Sequence, residues 1–289
     1  MRKLIFLGVG GGAPSRWGLP GILLIKDGFS VLFDCGEGTQ LKILEKGLGI
    51  NVDVVAITHM HGDHVLGLPG MIQTMGLLGR QKELTILGPK ELKDFLEESF
   101  SRTKFEPNFP IKFVDSYEGP DFRIVPFETC HTVESRGYVY EERERRNLDV
   151  EKLRAEGIRD YRVFRALKEG KTVQYGGRTL IPEDYLIITK GKKIVYTGDT
   201  RPCNNVIEAS KNADVLIHDS TFDNNEEAHL YGHSNASDAA EVASKAGVGT
   251  LVLFHYSARY TTTEPLLDEA LKRFPRAVTV EPLDTVFIR

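Results

Sequence analysis

The stretch VVAITHMHGDHVLGLPG, residues 54–70, decides the fold. Residues 54–57 are an apolar run bounded by polar residues, the mark of a buried strand. The run then empties into His59, His61, Asp63 and His64, four ligand-type side chains within six residues. A polar turn after a strand accounts for one or two such residues. Three of the chain's eight histidines in one His-x-His-x-Asp-His arrangement point instead to half of a metal site.

The same pattern recurs along the chain. His131 follows IVPFETC, Asp199 follows KIVYTG, and His255 follows TLVLF. Rigid strand ends can bring ligands from distant positions to one edge of a sheet. Five histidines and two aspartates suffice for two metal ions, with Asp199 as a bridge. Imidazole and carboxylate donors suit zinc, and the lack of thiolates argues against a closed structural site. Cys130 neighbours His131, but alternation along a strand turns it to the other face. Asp34, in FDCGEG, reads as a structural turn residue rather than a ligand. The loop GVGGGAPS lacks the following helix that a dinucleotide fingerprint requires, because Pro14 and a hairpin come next.

The chain of 289 residues fits one large α/β domain. Its net charge of −4 removes any global basic signature, so a nucleic-acid partner would need a local cationic patch. Three cysteines without a CxxC pair fit a reducing compartment and argue against a disulfide scaffold. The opening apolar run is too short for a leader, and no run of about eighteen apolar residues offers a membrane span. Strands and helices interleave, which suggests two sheets with helices outside. A helix is expected from residue 64 to about 78. Another over KELKDFLEESF places Leu92, Phe95, Leu96 and Phe100 on one face. YLIITKGKKIVYTGD reads as a hairpin turning at Gly191. Residues 140–171 are dominated by charge and free of strand signals, as in an inserted arm.

THMHGDH, the His131 strand end, TGDT and HYSARY resemble the signature of the metallo-β-lactamase fold. FLGVGGGAPS, FDCGEGTQ, CHTVESRGY, HDSTF, YGHSNA and HYSARY narrow the resemblance to ribonuclease Z, and to its archaeal members, across residues 4–260. The resemblance implies an αββα sandwich of two mixed sheets over residues 1–289, with an inserted tRNA-binding arm at about 140–182. It implies a cytoplasmic homodimer that cuts precursor tRNA after the discriminator and leaves a 3′-hydroxyl. Two zinc ions, or manganese in their place, would share an attacking hydroxide. His59, His61 and His131 would hold the first ion, Asp63, His64 and His255 the second, and Asp199 both. Asp63, His233 and Asp219 are the implied catalytic side chains. His233 would protonate the leaving oxygen and Asp219 would orient it, where the family more often has glutamate. His218 and His229 are read as packing and surface residues.

The second half of the charged segment, RDYRVFRALKEGK, carries Arg159, Arg162, Arg165, Lys168 and Lys171, with Tyr161 and Phe164 as stacking surfaces. These are the expected RNA contacts, joined by Arg259 near the cut. The Gly-Pro pair of the family's arm is replaced here by RDYRV. The rival reading is a hydrolase of the same fold acting on a small phosphodiester, thioester, lactone or sulfate ester.

Overall fold

Alternation along the first strand, Arg2–Gly8, sets the layers. Phe6 points inward and meets Phe254 of a second sheet, with ring centroids 6.3 Å apart. Ile5 and Leu7 point the other way. They join Leu23, Leu32 and Val55 beneath Ile43, Leu68, Ile72, Leu92 and Leu96 of three helices. Full burial of each such side chain stabilises by roughly 1.5–3 kcal/mol.

The computed structural model describes residues 2–223 and 227–288. Its first sheet runs Thr285–Ile288, Arg2–Gly8, Gly21–Lys26, Phe29–Phe33, Val54–Ala56, Leu84–Leu87 and Ile111–Phe113. The second runs Ala277–Val278, Thr250–Phe254, Val215–Asp219, Lys193–Tyr196, Arg136–Glu142, Phe122–Glu128 and Tyr117–Glu118. Both mix parallel and antiparallel pairs. Phe33 meets Tyr138 and Tyr196 between the sheets. Helices Ala236–Ala246 and Glu264–Leu271 pack with the second sheet, which completes the expected αββα sandwich.

Parallel pairing positions the site. Phe29–Phe33 is parallel to Val54–Ala56, so Asp34 and His59 leave the first sheet at the same edge. Lys193–Tyr196, Val215–Asp219 and Thr250–Phe254 are mutually parallel, so Asp199, Asp219 and His255 leave the second sheet together.

Three expectations change. The helix expected from residue 64 is two, Gly62–Val65 and Gly67–Leu77. The break follows from ties to the segment after Phe33: Cys35 N–H donates to the His64 carbonyl and Gly67 N–H to the Cys35 carbonyl. A side chain at Gly67 would strike the Gly36 carbonyl at 2.0 Å. The expected hairpin at Gly191 does not form, because its strands belong to different sheets. Leu186–Thr189 pairs with Arg145–Leu148, and Lys193–Tyr196 with Val215–Asp219. Gly191 lies so close to the Glu142 backbone that a Cβ would sit 2.1 Å from its carbonyl oxygen. The charged segment also contains a strand, Arg145–Leu148, which its composition conceals.

Residues 120–122 and 141–192 form a compact unit of their own. Leu153, Ile158, Val163, Leu167, Leu180 and Tyr185 are its core. Asp149 and Asp160 cap its helices, Val150–Ala155 and Tyr161–Lys168. Phe164 packs against that core instead of offering a stacking face, whereas Tyr161 is 74% exposed.

Candidate active site

Among the described residues three overlapping groups of donor atoms surround Asp199, one of them formed with Asp219, His233 and His255, and the other two match the expected ligand sets. One atom from each of His59, His61, His131 and Asp199 falls within 4.8 Å of the others, and the same holds for Asp63, His64 and His255. Asp199 presents a different oxygen to each group. Its Oδ2 is 3.7 Å from His59 Nε2 and 3.9 Å from His131 Nε2. Its Oδ1 is 3.3 Å from His64 Nε2 and 3.2 Å from His255 Nε2. Asp63 Oδ2 lies 3.6 Å and 3.5 Å from the same two nitrogens. His59 Nε2 and Asp199 Oδ1 are buried without a hydrogen-bond partner. Buried polar atoms are ordinarily satisfied, so these two fit a cation between the clusters.

The electrostatics agree with that donor set. Burial, with the His64 ring beside it, holds His59 well below the usual imidazole range, in the neutral form that ligates metals. Burial opposes ionisation of Asp63, but His255 and His64 outweigh it and keep the carboxyl well below its usual range. Burial also opposes charge on His64, and there Asp199 and Asp34 outweigh it in the other direction.

His233 sits at the rim, with Nδ1 2.9 Å from Asp219 Oδ2. Aspartate therefore reaches where the family more often uses glutamate. Burial works against a charged ring, yet Asp219 and Asp199 push His233 up to about 9. The Asp219 carboxylate is itself held by the backbone N–H of Thr200 and by Thr221 through both its N–H and its hydroxyl. Beside it, the buried Ser234 hydroxyl donates to the Thr200 carbonyl, tying the His233 loop to the segment after Asp199. Asn235 then caps Ala236–Ala246 in a reciprocal capping box with Asp238.

The glycine-rich loop faces the clusters. Gly12 N–H donates to Asp63 Oδ2 at 2.6 Å. Gly10–Gly11 pairs with Tyr256–Ser257, and a Cβ on Gly11 would fall 2.0 Å from the His255 ring. Asp34 is structural and no ligand, as expected, and its bonds reach beyond the turn: its buried Oδ2 takes hydrogen bonds from His64 Nδ1, Tyr196 Oη and Thr58 Oγ1. The signal for that reach was available, since Asp34 follows an apolar strand much as Asp199 does. His218 is buried and bonds through Nδ1 to the Asp219 carbonyl, while the exposed His229 pairs with Asp238.

Arg159, Arg162, Arg165, Lys168 and Lys171 are all exposed. Arg162 pairs with Asp160, and both Arg165 and Lys171 pair with Glu169. Arg259 is exposed and lies 4.4 Å over the Phe222 ring. Among the described residues no helix is long and apolar enough to cross a membrane.

Residues 2–118 match the family described as Anti-Pycsar protein Apyc1, and residues 169–256 match the beta-lactamase superfamily domain. The chain is 54% identical to Ribonuclease Z of Sulfurisphaera tokodaii over 100% of its length and 99% of that protein. It is 53% identical to Ribonuclease Z of Sulfolobus acidocaldarius over 98% of its length and 97% of that one. Human tRNase Z, short form, superposes with a TM-score of 0.72 at 24% identity, covering 99% of each chain. The metallo-beta-lactamase fold protein YhfI from Bacillus subtilis superposes with a TM-score of 0.71 at 21% identity, over 99% of this chain and 98% of that one. At these identities the structural matches speak for the fold.

Proposed function

The chain belongs to the ribonuclease Z family, and we propose that it cuts precursor tRNA after the discriminator, leaving a tRNA 3′-hydroxyl and a 5′-phosphate on the trailer. It is a hydrolytic endonuclease of tRNA 3′ processing, as its full-length relatives' name implies. His59, His61 and His131 would hold one divalent ion, Asp63, His64 and His255 another, and Asp199 would serve both. Zinc suits these nitrogen and carboxylate donors, and manganese is the alternative. Two such ions supply Lewis acidity toward the phosphate and a water that ionises near neutral pH. The observation that carries this reading is the two-sided carboxylate of Asp199, with one oxygen toward each cluster.

The protein's own groups do the rest. Gly12 N–H holds Asp63 in place. Asp219 accepts the hydrogen bond from His233 Nδ1–H, which leaves Nε2–H as the acid. As the P–O3′ bond breaks, the leaving O3′ takes the proton from Nε2, and Asp219 stabilises the ring throughout. Arg259, held over Phe222, clamps a phosphate beside the cut.

The segment at 140–182 acts as the tRNA-binding arm, through Arg159, Arg162, Arg165, Lys168 and Lys171. The protein works as a homodimer in the cytoplasm. Support for the dimer comes from Leu41, Leu44, Leu66, Leu77 and Leu78, large apolar side chains left exposed on and around helices Thr39–Glu45 and Gly67–Leu77.

Incubating metal-loaded protein with precursor tRNA and mapping the product ends tests the cut site. Metal analysis of protein never exposed to chelator should find about two ions per chain, following from two clusters and one bridge. One ion or none counts against the metal assignment.

A further inference from the structure

We propose that Thr58 and Thr221 are positioning residues that fix the ring tautomers of His59 and His255, one at each metal position, by relaying a buried carboxylate to each ring. The inference rests on the two-metal reading above only for its consequence. The relay itself is a matter of counting protons.

Thr58 Oγ1 lies 3.0 Å from Asp34 Oδ2 and 2.9 Å from His59 Nδ1. A hydroxyl has one proton to give, and a carboxylate oxygen can only accept. The Thr58 proton therefore goes to Asp34, and a Thr58 lone pair faces His59. Nδ1 of His59 must then carry the ring's proton. A neutral imidazole has a single N–H, so Nε2 is left with a bare lone pair. That nitrogen is the buried atom without a partner. The reverse arrangement would set hydroxyl lone pairs against carboxylate lone pairs at 3.0 Å. It would also aim an N–H at the metal position.

Thr221 repeats the arrangement on the other side. Its Oγ1 is 2.7 Å from Asp219 Oδ1 and 2.9 Å from His255 Nδ1. The bare nitrogen of His255 then lies 3.2 Å from Asp199 Oδ1 and 3.3 Å from His64 Nε2, a meeting of acceptor atoms that a shared cation or proton relieves. His64 and His131 need no relay, because their Nδ1 atoms bond directly to Asp34 Oδ2 and to the Gly232 carbonyl. All four rings thus turn Nε2 toward the clusters, two directly and two through a threonine. Outer groups of this kind usually tune metal affinity by 10–100-fold.

Thr58→Val keeps the branched shape and deletes the hydroxyl, whereas Thr58→Ser keeps the hydroxyl. Zinc affinity, measured by competition with a chromophoric chelator, should fall about 10–100-fold for one of the two bound equivalents in Thr58→Val. It should return toward wild type in Thr58→Ser. Long-range proton–nitrogen NMR of the metal-free protein reads the tautomer directly. Wild type should show His59 protonated at Nδ1, and Thr58→Val should show that preference lost. Because the spectrum needs no metal, the relay can be judged even if wild type binds no zinc, a result that would sink the metal reading alone. An unchanged His59 tautomer in folded Thr58→Val overturns the relay. So does a serine variant that binds zinc as weakly as the valine one, since shape would then be the cause. If Thr58→Val does not fold, Thr221→Val poses the same question at His255.

Discussion

The catalytic edge and the charged arm use their polar residues in opposite ways. At the edge, the ionisable groups are buried or half-buried and most are held by fixed neighbours, as Asp219 is held by Thr200, Thr221 and His233. In the arm they are exposed, and several are paired with acids close by in sequence, as Arg165 is with Glu169. Buried groups without partners are costly, so their geometry is specified closely. Exposed pairs contribute little to stability and exchange readily for other anions. The edge is built for position and the arm for replaceable charge.

The sharpest way to break this contrast is at His233. His233→Ala should lower kcat on precursor tRNA about 10²–10⁴-fold, the usual worth of a placed general acid. Affinity for tRNA and metal content should not move. Single-turnover cleavage with parallel metal analysis decides it, and a fall in metal would make His233 a ligand instead.

Next comes the glycine loop. Gly11→Ala puts a methyl group where the His255 ring lies, and zinc binding should weaken by roughly tenfold or more. Equilibrium dialysis at limiting zinc reads this. Unchanged binding would mean that the edge can give way, which the comparison denies.

The arm should respond only through its salt dependence. Replacing Arg162 and Arg165 with Ala should flatten the log–log dependence of tRNA affinity on salt by one to two phosphates' worth, each about 0.7–0.9. Turnover of a small phosphodiester should stay the same. Equal slopes for the two proteins would retire the arm as an RNA contact and leave the catalytic edge untouched. The smallest expected effect is at Asn235→Ala, which removes the cap of Ala236–Ala246 and should cost about 1 kcal/mol. Thermal unfolding measures it, and a loss several times larger would show that the cap also supports the His233 loop.

The same contrast explains what could be read from the sequence. Ligand-type residues that end apolar strands stand out because each change from apolar to polar is abrupt. His59, His131, Asp199 and His255 were legible for that reason, and the structure brings them together. The sandwich itself was legible from strands that alternate with helices. Thr58, Thr221 and Ser234 were not, because a buried hydroxyl looks like any other small polar residue until its two partners are known. The arm was misread where composition hid pairing. Arg145–Leu148 is charged enough to pass for a loop, and Leu186–Thr189 resembles one half of a hairpin whose other half pairs elsewhere. Strand partners depend on distant segments, which local pattern does not report.

The close approach of Gly191 to Glu142 has one more consequence. Glu142 N–H donates to the Lys192 carbonyl at 2.9 Å, so the 141–192 segment is fastened at its own two ends. A segment closed in this way behaves as a cassette. The entropic cost of closing the loop is then met within the segment, and it grows only slowly with the length of chain enclosed. Arms of different length and sequence could then be exchanged at this point while the chemistry beside Asp199 stays as it is.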